Sequence, residues 1–185
     1  MSMFQKVAGK EGLNEIDNGC MKLLNFKKLV LGPGNSYEGV SGGNEILLLV
    51  LSGRCNGLFG KKEFANIGGR TSVFGGKPHA VYVPCGTQFR VSAPPESGVE
   101  IVWCMAPSDL EVEPYHIRPS DVADGKWGAT NFTRYYYSVL DQRTPAKRLF
   151  VGETFVPSGN WATFPPHKHE KNDLPNEVFM EEIYY

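Results

Sequence analysis

Short apolar runs, each closed by glycine or proline, recur along this chain of 185 residues. Residues 46–51 are continuously apolar, as a strand buried on both faces requires. Residues 79–83 end at Pro84 and Gly86, residues 88–93 alternate polar with apolar, and residues 99–106 lie between Ser97-Gly98 and Pro107. Residues 71–74 run into Gly75-Gly76. Such units follow one another about every 8 to 12 residues, the spacing of an all-β sandwich or barrel. The 21 glycines and 13 prolines are spread along the chain, so they read as turn punctuation and not as low complexity. One stretch, 17–28, is a weak helical candidate.

Residues 107–130 change character. Ser120, Asp121, Asp124, Gly125 and Gly128 are turn-formers, and the segment reads as a linker without a strand. Strands are predicted again over 132–140, 148–156 and 161–164, the last after a turn at Pro157-Ser158-Gly159-Asn160. A polar loop over 170–176 leads to a final strand that starts at Glu177 or Val178 and still runs at Tyr185. The expected division is a first β domain over 1–109, an inter-domain segment with a pairing strand over 110–144, and the start of a second β domain over 145–185. A two-sheet domain takes about 100 residues, so the chain is expected to stop inside its second domain.

The formal net charge of −1 gives no basic excess for a nucleic acid backbone. Residues 46–51, the longest apolar run, are far too short to span a membrane. Residues 1–10 lack the apolar core of a signal peptide. A cytoplasmic protein with no nucleic acid or membrane partner is expected. Cys20, Cys55, Cys85 and Cys104 are widely spaced, with no CxxC pair, so neither a disulfide framework nor a thiolate zinc site is expected.

The chemistry-bearing cluster is His167-Lys168-His169, followed by Glu181-Glu182. In a strand, residues two apart share a face, so His167 and His169 would present two imidazoles to one point and Lys168 would point away. A carboxylate from a neighbouring strand would complete a set of two histidines and one carboxylate with open positions for substrate. Glu181 and Glu182 would face opposite sides, and periodicity alone does not choose between them.

The stretch Arg148-Leu-Phe-Val-Gly-Glu-Thr-Phe-Val-Pro-Ser-Gly-Asn-Trp-Ala-Thr-Phe-Pro-Pro-His-Lys-His169 closely resembles the signature of the 5-deoxyglucuronate isomerase family. Glu181-Glu182-Ile-Tyr-Tyr185, Gly68-Gly-Arg-Thr-Ser-Val-Phe74, Ala80-Val-Tyr-Val-Pro84, Trp127-Gly, Asn131 and Arg134 fit the same pattern. The resemblance covers nearly the whole chain. It implies an all-β bicupin, two tandem barrels with a metal in the second. The implied ligands are His167, His169 and Glu182, with a further histidine beyond Tyr185. Imidazole and carboxylate suit Zn, Mn, Fe, Co or Ni. The lone His79 of the first barrel and His116 are expected to be ordinary, partly buried side chains.

The same resemblance implies interconversion of 5-deoxyglucuronate with its 2-ketose isomer, 5-dehydro-2-deoxygluconate, in inositol catabolism. An aldose–ketose shift passes through an enediolate, whose oxyanion calls for a Lewis-acidic divalent metal and whose proton calls for a base. Glu153 is the candidate base, with an outward salt-bridging role as its alternative. Glu181 is expected near the metal site or at an interface. Arg148 is the candidate for binding the substrate carboxylate, because its planar fork suits a bidentate contact. Two other classes are weighed. One is a different cupin enzyme, such as 4-deoxy-5-hexosulose-uronate isomerase or an Fe(II) oxygenase, although the long interval between His169 and Glu182 argues against the former. The other is a non-catalytic sugar-binding cupin. A homo-oligomer, by default a dimer, is the expected assembly.

Overall fold

The computed structural model describes residues 4–7, 9–17, 19, 21–162 and 168–185. The fold is all-β, as expected. Its strands are β1 (Gly12–Glu15), β2 (Asn25–Leu31), β3 (Ser36–Val40), β4 (Asn44–Phe59), β5 (Lys62–Gly68), β6 (Ala80–Val83), β7 (Gln88–Ser92), β8 (Val99–Pro107), β9 (Tyr115–Ile117), β10 (Ala123–Trp127), β11 (Arg134–Leu140) and β12 (Val151–Phe155). A single 3-10 turn, Thr130–Phe132, is the one helical element among the described residues. None of the described helices is long and apolar enough to cross a membrane.

Strand β4 organises the molecule. Its first part pairs with β8 and β6 in the order β1-β2-β8-β4-β6-β9. Its second part pairs with β5 and β7, and β7 pairs with β3. The change of sheet falls at Gly53, whose φ of +79° is a left-handed value and where a Cβ would collide with the Gly98 carbonyl. Glycine is therefore required at this corner.

Side-chain alternation along β4 feeds two cores. Ile46, Leu48 and Val50 face a core shared with Phe59, Phe89, Val91, Ile101 and Trp103, between the two sheets. Leu47 and Leu49 face the opposite way, against Tyr82, Ile117, Val122, Val139, Leu140 and Leu149. The continuous apolar run over 46–51 is thus read on both faces. The second core fastens a separate antiparallel sheet, β10-β11-β12, to the outside of the first.

Several expectations need correction. Residues 25–28 of the helical candidate belong to β2, because Phe26, Leu29 and Leu31 bury into the two cores while β2 pairs with β8 along its whole length. Tertiary pairing overrides a weak local signal there. Residues 71–74 are not a strand. The Arg70 guanidinium collects the Val73 and Gly76 carbonyls at 3.4 and 3.0 Å, and Gly75 closes a turn on Ser72. The presumed linker contains β9, which extends the first sheet beside β6, and β10, which pairs with β11. Gly125 sits within β10 because the Tyr136 ring covers it, leaving no room for a Cβ. Strand β12 starts three residues later than predicted because the Lys147, Arg148 and Leu149 amides before it donate to the Glu45 carboxylate. Trp161 and Ala162 lie outside any strand, and the rest of the predicted 161–164 strand lies outside the described residues. Residues 178–185 form no strand; one backbone bond, from Met180, and side-chain contacts hold them instead.

Candidate functional site

The predicted metal ligands lie on the segment after β12. His167 lies outside the described residues. His169 has a φ of +73°, so its backbone is turned out of strand geometry. Its Nδ1 lies 3.2 Å from the Val178 carbonyl. A carbonyl only accepts, so the proton of a neutral ring sits on Nδ1 and the Nε2 lone pair is left for a ligand. The loop between the two candidate ligands closes on itself. Asp173 bridges Glu177, and the Glu177 carboxylate accepts the Glu170 and Lys171 amides at 2.7 and 3.2 Å. The Met180 amide then donates to the His169 carbonyl at 3.1 Å, which folds 178–180 back alongside His169.

Glu182 is half-buried and accepts the Tyr184 hydroxyl at 3.0 Å. Its neighbour Glu181 does something different. Its carboxylate accepts three consecutive backbone N–H groups, those of Lys22, Leu23 and Leu24, each at 2.8 Å. Burial opposes ionisation of Glu181, but these three bonds outweigh it and hold the carboxyl below its ordinary value. Tyr185 continues the contact, with its ring 5.2 Å from that of Phe26 and 5.9 Å from the Lys28 ammonium. The two adjacent glutamates are therefore divided, Glu181 binding backbone and Glu182 bonded, among the described residues, to the Tyr184 hydroxyl. Imidazole and carboxylate are donor types that suit a transition metal; among the described residues no group of three or more His, Cys, Asp or Glu side chains is gathered that could hold one.

The other two candidates lie on the joint between the sheets. Glu153 on β12 is bound by Arg70, whose Nη1 donates to Oε2 at 2.8 Å and whose Nη2 donates to Oε1. The two side chains are 5% and 11% exposed. Glu153 thus has the salt-bridging role, turned inward and not outward. Arg70 also donates from Nε to the Val50 and Leu51 carbonyls at 3.2 and 3.1 Å, so this pair ties β12 to the corner of β4. Arg148 is exposed, and its guanidinium donates to the Pro107 carbonyl. Among the described residues no hydrogen bond or ion pair joins Arg148 or Glu153 to His169 or Glu182.

The most buried charged group was not singled out from sequence. Glu45 on β4 has no exposed surface. It accepts the amides of Lys147, Arg148 and Leu149 at 2.8, 2.6 and 2.8 Å and the Tyr82 hydroxyl at 2.7 Å. Burial raises its pKa, but the four donors together prevail and hold it below the ordinary value. Tyr82 is pushed up by burial and by the Glu45 charge. The signal available in the sequence was a lone glutamate at the head of a buried apolar run, since such a charge needs partners.

A family model described as KduI/IolB matches residues 4–185, and the chain belongs to that family. The 5-deoxy-glucuronate isomerase of Shouchella clausii is 35% identical over 173 residues, which cover 92% of this chain and 63% of that protein. The 5-deoxy-glucuronate isomerase of Bacillus subtilis is 33% identical over 170 residues, covering 91% of this chain and 62% of that protein. The chain thus spans less than two thirds of the length of these curated relatives. The crystal structure of an IolB-like protein from Salmonella typhimurium superposes with a TM-score of 0.88 at 25% identity, covering 95% of this chain and 67% of that one. A putative glyoxylate-induced protein from Pseudomonas aeruginosa shares the fold, with a TM-score of 0.60 at 11% identity, covering 80% of this chain and 57% of that one.

Proposed function

We propose that this chain belongs to a metal-assisted aldose–ketose isomerase that converts 5-deoxyglucuronate to 5-dehydro-2-deoxygluconate in the cytoplasm. The observation that carries this reading is the 35% identity to a 5-deoxy-glucuronate isomerase over 92% of the chain. The family match over residues 4–185 includes the HxH and Glu-Glu segments. In this reading the chain holds a first cupin barrel over 1–109, a joining segment over 110–144, and the ligand-bearing start of a second barrel over 145–185.

His167, His169 and Glu182 would hold a divalent transition metal, Zn, Mn, Fe, Co or Ni. The chemistry such an ion supplies is polarisation of a sugar carbonyl and stabilisation of the adjacent oxyanion. The residues of the chain have separate tasks. The Val178 carbonyl keeps the proton of His169 on Nδ1 and so fixes the ring. Arg148 offers a guanidinium to the sugar-acid carboxylate once its bond to Pro107 is exchanged. Both oxygens of Glu153 are committed to Arg70, so Glu153 takes a proton only when substrate displaces that guanidinium. At other times it links the sheets.

The test is an assay for ketose formation from 5-deoxyglucuronate, with His169→Ala and Glu182→Gln as controls. Turnover that each control abolishes supports the reading. Turnover that both controls leave unchanged overturns it.

A further inference from the structure

The corner of β4 gathers a second group of charged and titratable side chains, none of which the isomerase reading uses as ligand or base. Val50 donates its amide to the His79 carbonyl at 3.0 Å. Arg70 lays Nε against the Val50 and Leu51 carbonyls. Arg54 stands just past the corner, opposite Gly68 on β5. His79 reaches across to β9, with its Nδ1 2.9 Å from Nε2 of His116. Phe64 of β5 lies beside the His116 ring, with centroids 5.7 Å apart. Arg118 lies one residue past the end of β9, whose register sets Ile117 opposite Ala80, the neighbour of His79, and its charge acts on both rings.

An imidazole–imidazole hydrogen bond needs one N–H and one lone pair, so a second proton would set two donors against each other. The surroundings act in the same direction. Burial, then the charges of Arg118, Arg54 and Arg70, lower the His79 pKa. Burial, then His79 and Arg118, bring His116 down to about 4, with Asp121 acting against them. Arg70 is neutralised by Glu153. Arg54 and Arg118 are exposed, and among the described residues neither guanidinium has a hydrogen-bond or ion-pair partner. Two guanidinium groups therefore lie near a half-buried pair of rings, beside Phe64, with the Asp121 carboxylate held by the Arg118 backbone amide at 2.9 Å as a nearby negative charge. Positive charge against a low-dielectric wall attracts anions more strongly than the same charge in open water.

We propose that Arg54, Arg118 and the His79–His116 pair form a binding site for a small oxyanion, a carboxylate or phosphate group. The two guanidinium forks supply charge-assisted hydrogen bonds to its oxygens. The imidazole pair forms the floor, and a bound anion favours an additional proton on it. Arg70, locked by Glu153 and by backbone carbonyls, holds the corner in place without contacting the anion.

The test uses the full chain with nitrogen-15-labelled histidine. Inorganic phosphate and D-glucuronate are titrated in separate arms, with chloride holding ionic strength constant. A saturable shift of the His79 and His116 ring resonances is expected in at least one arm, and the arm that saturates identifies the anion class. The double variant Arg54→Ala/Arg118→Ala should bind about tenfold more weakly or worse, as expected from loss of charge-assisted contacts. Lys61→Ala, which removes an exposed charge outside the cluster, should leave binding unchanged. Absence of a saturable shift in both arms, or equal binding by the double variant, overturns the proposal.

Discussion

The Glu45 carboxylate accepts the backbone N–H of Arg148 at 2.6 Å, across the joint between the first sheet and the second. Lys147 and Leu149 donate to the same carboxylate, so one buried charge fixes three consecutive residues immediately before β12. A neutral amide in place of the carboxylate would turn an NH2 group toward these donors. Glu45→Gln should therefore destabilise the fold by about 2–4 kcal/mol, as for a buried acceptor removed from charged hydrogen bonds. Urea unfolding of the variant beside the parent chain measures this.

The same carboxylate sets a pH response. Its native pKa lies below its ordinary value, so the unfolded chain binds the proton first as pH falls. Its stabilising contribution is fully present above the unfolded pKa of about 4.3 and is lost as pH falls through the lower native value. Unfolding free energy should drop over this acid range in the parent chain and fall less steeply in Glu45→Gln.

Arg70 and Glu153 are the second link between the sheets. Removing one partner leaves the other charge buried and unpaired, so Arg70→Met and Glu153→Leu should each cost about 3–5 kcal/mol. The double variant should cost less than the two single changes combined, because neither charge remains. Arg70→Lys should fail to restore stability, since an ammonium cannot bind both carboxylate oxygens and the nearby carbonyls as the planar fork does. Thermal unfolding of the four variants completes the cycle.

The all-β class was legible because periodicity and turn residues are local signals, and the first part of β4 together with β6, β7 and β8 falls where the apolar runs predict strands. Strands carrying turn-formers were not. Gly125 within β10 makes sense only with the Tyr136 ring over it, and the start of β12 is set by Glu45, about a hundred positions earlier. At the candidate site the HxH pattern and the two glutamates are visible as residue types. The division of labour between Glu181 and Glu182 is not, because it rests on the amides of Lys22, Leu23 and Leu24, far away in sequence. The inward pairing of Glu153 with Arg70 is hidden for the same reason.

The histidine pair makes a prediction that leaves the acid range of Glu45 alone. His116 is lowered from 6.5 to about 4. The unfolded chain therefore binds this proton first as pH falls below the ordinary value. Stability should decline as pH drops from 6.5 toward about 4. His116→Phe, which cannot be protonated, should flatten this part of the profile. The ring resonance of His116 should titrate with a midpoint near 4.

Glu181 should act as a tether. In Glu181→Ala the amides of Lys22, Leu23 and Leu24 lose their acceptor and should exchange with solvent faster than in the parent chain. Amides within β8 should keep their protection. Hydrogen exchange read by NMR separates the two regions.

The central claim is that His167, His169 and Glu182 hold a metal. It is tested most directly by elemental analysis of the purified chain beside His167→Ala. About one equivalent of a transition metal per chain is expected in the parent, as for a site of three protein ligands, and it should be lost in the variant. A parent chain without metal, or a variant that keeps it, would contradict the claim.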